Sequence, residues 1–141
     1  MAISEVHDSI AWLGNPESRI LSIRKFRQHI NNLPLSEAVK LTQFTWKNSP
    51  KINKSLIDIV DIDNWPTPWQ LFGQSFFCED LQQLGVFYTL ILSDHAKHIN
   101  LMITDHVIEG ITANVVTENN LPSGSVLAII TENDITEKLG V

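Results

Sequence analysis

A single cysteine and a single tyrosine stand in this 141-residue chain, and only 18% of its residues are charged. One thiol excludes an internal disulfide, so nothing here calls for an oxidising compartment. Ten cations against sixteen carboxylates give a net charge of −6, which removes the usual reason to expect nucleic acid as a partner. The longest apolar run, GVFYTLILS from Gly85 to Ser93, falls well short of the roughly 20 residues that cross a membrane. The first residues, MAISEVHDSIAWLGNPESR, lack a basic segment followed by an apolar one, so no secretory signal is expected. Repeats and low-complexity tracts are missing, as are a phosphate-cradling glycine loop, a GxSxG elbow and a paired-carboxylate motif. What remains is the expectation of one soluble domain over residues 1–141, without a membrane or nucleic-acid partner and without a cofactor.

The first two thirds of the chain read as helices. Asn15 can cap and Pro16 suits a first helical position. Ile20, Ile23, Phe26 and Ile30 then recur at three- and four-residue intervals, and the helix should end near NNLP. A second helix is expected from about Leu35, with Leu35, Ala38, Leu41 and Phe44 facing inward. Ser49 and Pro50 should restart a short third helix through about Leu56. Asp58, Asp61 and Asp63 mark an acidic connector. Thr67, Pro68 and Gln70 then carry the pattern of a capping box, and Gly73 should end that turn.

The next helix is predicted from about Cys78 to Leu92. Phe77, Leu81, Leu84, Tyr88 and Leu92 fill one of its faces, and Phe87, Leu90 and Ile91 fill much of the rest, so it should be buried. Gly85 in its middle costs roughly 1 kcal/mol relative to Ala, which close approach of a neighbouring element would explain. After His95 the period changes to two. Ile99, Leu101 and Ile103 alternate with His98, Asn100 and Met102, and ITANVVTE and SVLAIITE continue the β-branched habit across the turn NNLPSG. The tail NDITEKLG allows a last helical turn ending at Gly140. The expected class is α+β: a helical part over about 15–93, and a C-terminal three-stranded antiparallel meander over about 97–132 on which the central helix of about 78–92 packs.

Two groups of residues could carry function. Cys78 at the entrance of the central helix could be a nucleophile, since free N–H groups there favour a thiolate. His98, or His95 just before it, could serve as base, with Asn114 or Asp105 orienting the ring. The order of Cys on a helix, then His, then Asn or Asp on strands resembles transglutaminase-like and papain-like cores over roughly residues 75–120. The likeness is topological: no Trp follows the candidate His, no Asp opens the next strand and no glycine-rich stretch precedes Cys78. The other reading makes Cys78 a small buried core residue. Asp94, His95, His98 and His106 are spaced without any pattern that forces metal ligation, so no metal is expected.

The second group is built for contact. Trp65, Pro66, Pro68 and Trp69 form the densest aromatic–proline cluster, suited either to anchoring a partner or to stapling the acidic connector onto the helices. Arg19, Arg24, Lys25 and Arg27 supply four of the ten cations on the first helix, and Arg24 and Arg27 with Trp65, Pro66 and Trp69 are the candidate partner-binding residues. The segments FTWKNSP, DIDNWPTPWQLF and FFCEDLQQLGVFYTLILSDH resemble a group of small uncharacterised proteins of tailed bacteriophages, over about residues 44–95. Those proteins share a W-P-x-P-W-[EQ]-L segment ahead of a Cys and an L-G-x-x-Y-T-L helix. The resemblance implies no catalytic residue. It implies synthesis in a bacterial host cytoplasm and a non-catalytic structural or interaction role, in a virion component such as tail, neck or baseplate. Partners would be other phage structural proteins, or further copies in a homo-oligomer. The alternatives are a thiol-dependent hydrolase or transferase using Cys78, and a small binder or inhibitor of a host protein that uses Asp58 to Asp63.

Overall fold

The computed structural model describes residues 10–58, 61–104, 112–114, 126–130, 132–135 and 138. Four helices dominate: α1 (Pro16–Ile30), α2 (Leu35–Lys47), the short α3 (Pro68–Phe72) and the central α4 (Glu79–Ile91). Three strands follow, β1 (Asn100–Thr104), β2 (Thr112–Asn114) and β3 (Val126–Ile130).

The helix starts are where local chemistry puts them. The Asn15 side chain accepts from the Ser18 N–H at 2.8 Å, with Pro16 behind it. Thr67 and Gln70 close a reciprocal capping box at α3, and Gly73 terminates it. Helix α4 is buried on nearly every side, as its composition requires. Its Gly85 lies against the Trp46 ring of α2, and a Cβ there would meet ring carbons at 2.6–2.7 Å. The indole N–H of Trp46 donates to the Thr89 hydroxyl at 2.9 Å, which in turn donates to the Gly85 carbonyl at 2.7 Å. Trp12, Phe72 and Phe77 surround the same indole, with centroids 4.9, 6.0 and 5.2 Å away. One turn further along α4, the Tyr88 hydroxyl donates to the Pro66 carbonyl at 2.7 Å.

Three expectations are corrected. The fold is predominantly helical, not a helical layer laid on a C-terminal three-stranded sheet. Helix α4 packs chiefly on α2, with α1 and α3 also against it, and meets the strands through β2. The strands are three to five residues long. β1 pairs antiparallel with both β2 and β3, so the order is not that of a meander, and its register with β3 breaks between Ile103 and Thr104. Most of the apolar surface of α4 is taken by other helices, and among the described side chains the short strands add only Leu101 and Ile130 to the same core.

Second, no helix follows Pro50. The Phe77 N–H donates to the Pro50 carbonyl and the Ile52 N–H to the Phe77 carbonyl, at 2.8 and 2.9 Å. Lys51 thus forms an isolated parallel bridge with Phe77, which holds the segment extended and seats Phe77 in the core. Third, Phe44 is 50% exposed, and α2 buries Ala38, Leu41, Thr42, Thr45 and Trp46. The two threonines donate to the carbonyls of Ala38 and Leu41, at 2.7 and 2.8 Å, so their hydroxyls enter the core already satisfied. Of the tail NDITEKLG, a 3-10 turn over Glu132–Ile135 is seen.

Candidate partner-binding surface

Helix α3 is fixed to α1 by an unexpected staple. Arg19 is buried, and its guanidinium donates to the Gly73 carbonyl through Nε and Nη2 and to the Gly14 carbonyl through Nη1. This ties the first turn of α1 to the C-terminus of α3. Two turns along α1, Arg27 then comes to lie over the Trp69 ring, 5.9 Å from its centroid. Trp69 is held from the other side by the edge of Phe72, at 6.1 Å and 83°.

The two expected contact groups therefore meet. Arg24, Arg27 and Trp69 form one surface, with Arg24 exposed, Arg27 half-buried and Trp69 40% exposed. Burial, and then the neighbouring Arg24, depress the Arg27 pKa below the ordinary guanidinium value. The Arg27 Nε is buried with no acceptor, and no carboxylate of the described residues lies within ion-pair distance of either arginine. Leu21, one turn before Arg24 and 51% exposed, extends the surface with an apolar edge.

Trp65 and Pro66 do not join it. Trp65 is 4% exposed, a core residue whose Nε1 finds no acceptor, and Pro66 is half-buried with its carbonyl taken by Tyr88. Expecting Trp65 and Pro66 as partner anchors is thus corrected: they staple the connector to α4. Lys138 closes the same corner, donating to the carbonyls of Asp63 and Trp65 at 3.1 Å each. Sequence reasoning placed Arg19 among the contact cations and missed both its burial and the exposure of Leu21. Only Arg19 had a visible signal, its place on the buried stripe with Ile23, Phe26 and Ile30.

The thiol and the imidazoles are not brought together. Cys78 sits at the N-cap of α4, 4% exposed, with extended backbone and no capping bond from its side chain. It adjoins a hollow of about 310 Å3 that Lys51, Asn53, Ser55, Glu79 and Asp80 also line. Burial and then Glu79 raise the Asp80 carboxyl above its ordinary range. His95 and His98 lie beyond the opposite end of the 13-residue α4, a separation of about 20 Å at 1.5 Å per residue. His95 is engaged there, its Nε2 donating to the Ile30 carbonyl at 2.9 Å, while His98 is exposed in the turn Ala96–His98. Asn114 is placed by its backbone only, paired with Asn100 in β2, and Asp105 and His106 lie outside the described residues. Among the described residues no three His, Cys, Asp or Glu side chains gather as a metal site would require. No described helix is long and apolar enough to cross a membrane.

Neither a protein-family model, nor a curated protein, nor a solved structure matches the chain.

Proposed function

We propose that this chain is a non-catalytic structural or interaction module of the tailed-phage type, adding a rigid, mainly helical body to a particle component such as tail, neck or baseplate. The single observation that carries the interaction role is the surface of α1 and α3, where an exposed indole carries the Arg27 guanidinium over its ring beside the exposed Arg24, with no carboxylate among the described residues in ion-pair contact with either arginine. A half-buried cation with no counter-charge among the described residues is costly to hold at the edge of a packed core. An amphipathic aromatic beside it is the kind of residue on which binding energy concentrates. The particle setting rests on the sequence resemblance of residues 44–95. A thiol enzyme is not favoured, since α4 stands between Cys78 and both candidate bases.

The test is a peptide count by mass spectrometry in purified particles of the producing phage. A fixed copy number per particle supports the reading, and absence from the particle removes the virion role. The thiol reading has its own check, the alkylation of Cys78 by iodoacetamide from pH 5 to 10. Reaction only as fast as the protein unfolds is the expected outcome. Fast reaction in the folded state would return Cys78 to the candidate nucleophiles.

A further inference from the structure

We propose that the surface formed by Arg24, Arg27 and Trp69 docks a second copy of this chain, taking the acidic turn at Asp61 and Asp63. The proposal rests on the interaction reading above and gives it an occupant. On one side stands a positive pair three residues apart on a single helix face, in a protein whose net charge is −6. The Arg27 guanidinium lies over the Trp69 ring, its Nε has no acceptor among the described residues, and Leu21 and Trp69 supply apolar area around it. A carboxylate is the group to which such a fork donates two parallel hydrogen bonds.

On the other side stands the turn that begins the tryptophan–proline segment. Asp61 stands just before the 3-10 turn Ile62–Asn64, and its carboxylate accepts from the side-chain Nδ2 of Asn64 at 2.6 Å. Asp63 is exposed and its carboxylate has no partner among the described residues, while Lys138 engages only the carbonyls of Asp63 and Trp65 from its side. Tyr88 and Lys138 together clamp both ends of the Trp65–Pro66 step, so the turn is presented by a rigid base. Rigid presentation lowers the ordering cost of docking.

These two charged patches are complementary in one chain, yet they form no ion pair with each other inside one copy. They are also different surfaces, so contact between copies runs head to tail. Such an interface is heterologous, and it generates a closed ring or an open filament according to its rotation. Either form would suit a subunit of a particle.

The experiment is sedimentation velocity on the full chain over a wide concentration range, at about 0.05 and about 0.5 M salt. Expected is reversible association that weakens at least about tenfold at the higher salt. The charge reversals R24E/R27E and D61K/D63K should each abolish it, and an equimolar mixture of the two variants should restore it. Trp69→Ala and the single change Asp63→Lys repeat both arms with less risk to folding, and circular dichroism confirms each fold. A wild type that stays monomeric at every concentration overturns the self-docking and leaves the module reading to the particle count. Association that ignores both salt and charge reversal overturns it too. Failure of the mixture to reassociate rules out the acidic turn as occupant.

Discussion

Trp46 and Trp69 are both held against a helix, and they are treated in opposite ways. Trp46 is 1% exposed, its N–H is spent on Thr89, three aromatic rings surround it, and a glycine has been placed where its face needs room. Trp69 is 40% exposed and shares its face with an arginine whose Nε has no acceptor and which has no ion-pair partner among the described residues. Around Trp46 every polar atom that enters the core is answered, down to Gln82, which donates to Ser49 while Ser49 donates to the Trp46 carbonyl. Beside Trp69 the Arg27 Nε is left over. The first region is construction, and the second is the surface proposed to meet a partner.

The largest effect should come from the constructed region. Trp46→Ala is expected to cost about 3–5 kcal/mol, read by chemical denaturation, because the cavity lies among rings that cannot all collapse into it. A loss under about 1 kcal/mol would mean that Trp46 does not hold α2 to α4. Gly85→Ala comes next. The added Cβ collides with the indole, and overpacking of this kind costs about 1–3 kcal/mol, partly offset by the roughly 1 kcal/mol that Ala gains over Gly in a helix. In a Trp46→Leu background the collision is gone, and the same change should turn neutral or stabilising. Equal costs in both backgrounds would refute the close-approach account of Gly85.

Tyr88 joins the two regions, since its hydroxyl fixes Pro66 just ahead of α3. Tyr88→Phe should cost about 1 kcal/mol at neutral pH. Burial raises the Tyr88 pKa above its ordinary 10.0. An acid raised in the folded state stabilises fully below its unfolded pKa and loses that contribution as pH climbs above it. The wild type should therefore lose stability above about pH 10 faster than Tyr88→Phe, narrowing the gap between them. Denaturation midpoints for both proteins across pH 7 to 11 check this. A gap that stays constant with pH would show the hydroxyl to be hydrated and not sealed.

How much of this was legible depends on distance along the chain. Asn15, the Thr67–Gln70 box and Gly73 were readable because a cap is decided by residues within one turn of each other. Gly85 announced a close neighbour without naming it, since the indole that fills the space comes from 39 positions earlier. Phe44 was misplaced because two stripes share Ala38 and Leu41. The true one runs through Thr42 and Thr45, whose polarity the helix backbone itself absorbs. The sheet was overestimated for a related reason: alternation shows that a segment can be a strand, not that a helix has apolar surface left to pack on it. Of the contact residues, the sequence contained both Arg27 and Trp69. Only the Arg19 staple to Gly73, 54 residues away, reveals that they touch.

The smallest expected change in stability is the most telling about Arg27. Arg27→Met keeps an unbranched stem over Trp69 and removes a partly desolvated cation together with its orphaned Nε. Exchange of an unpaired, half-buried charge for an apolar group of similar length is near neutral or mildly stabilising, within about 1 kcal/mol. The same variant should lose the salt-dependent association proposed for the wild type. Stability retained with association lost would separate the two tryptophan regions cleanly, one serving the fold and the other serving a neighbour. A loss of 2 kcal/mol or more, with association intact, would instead place Arg27 with Trp46, as a residue that holds α1 against α3.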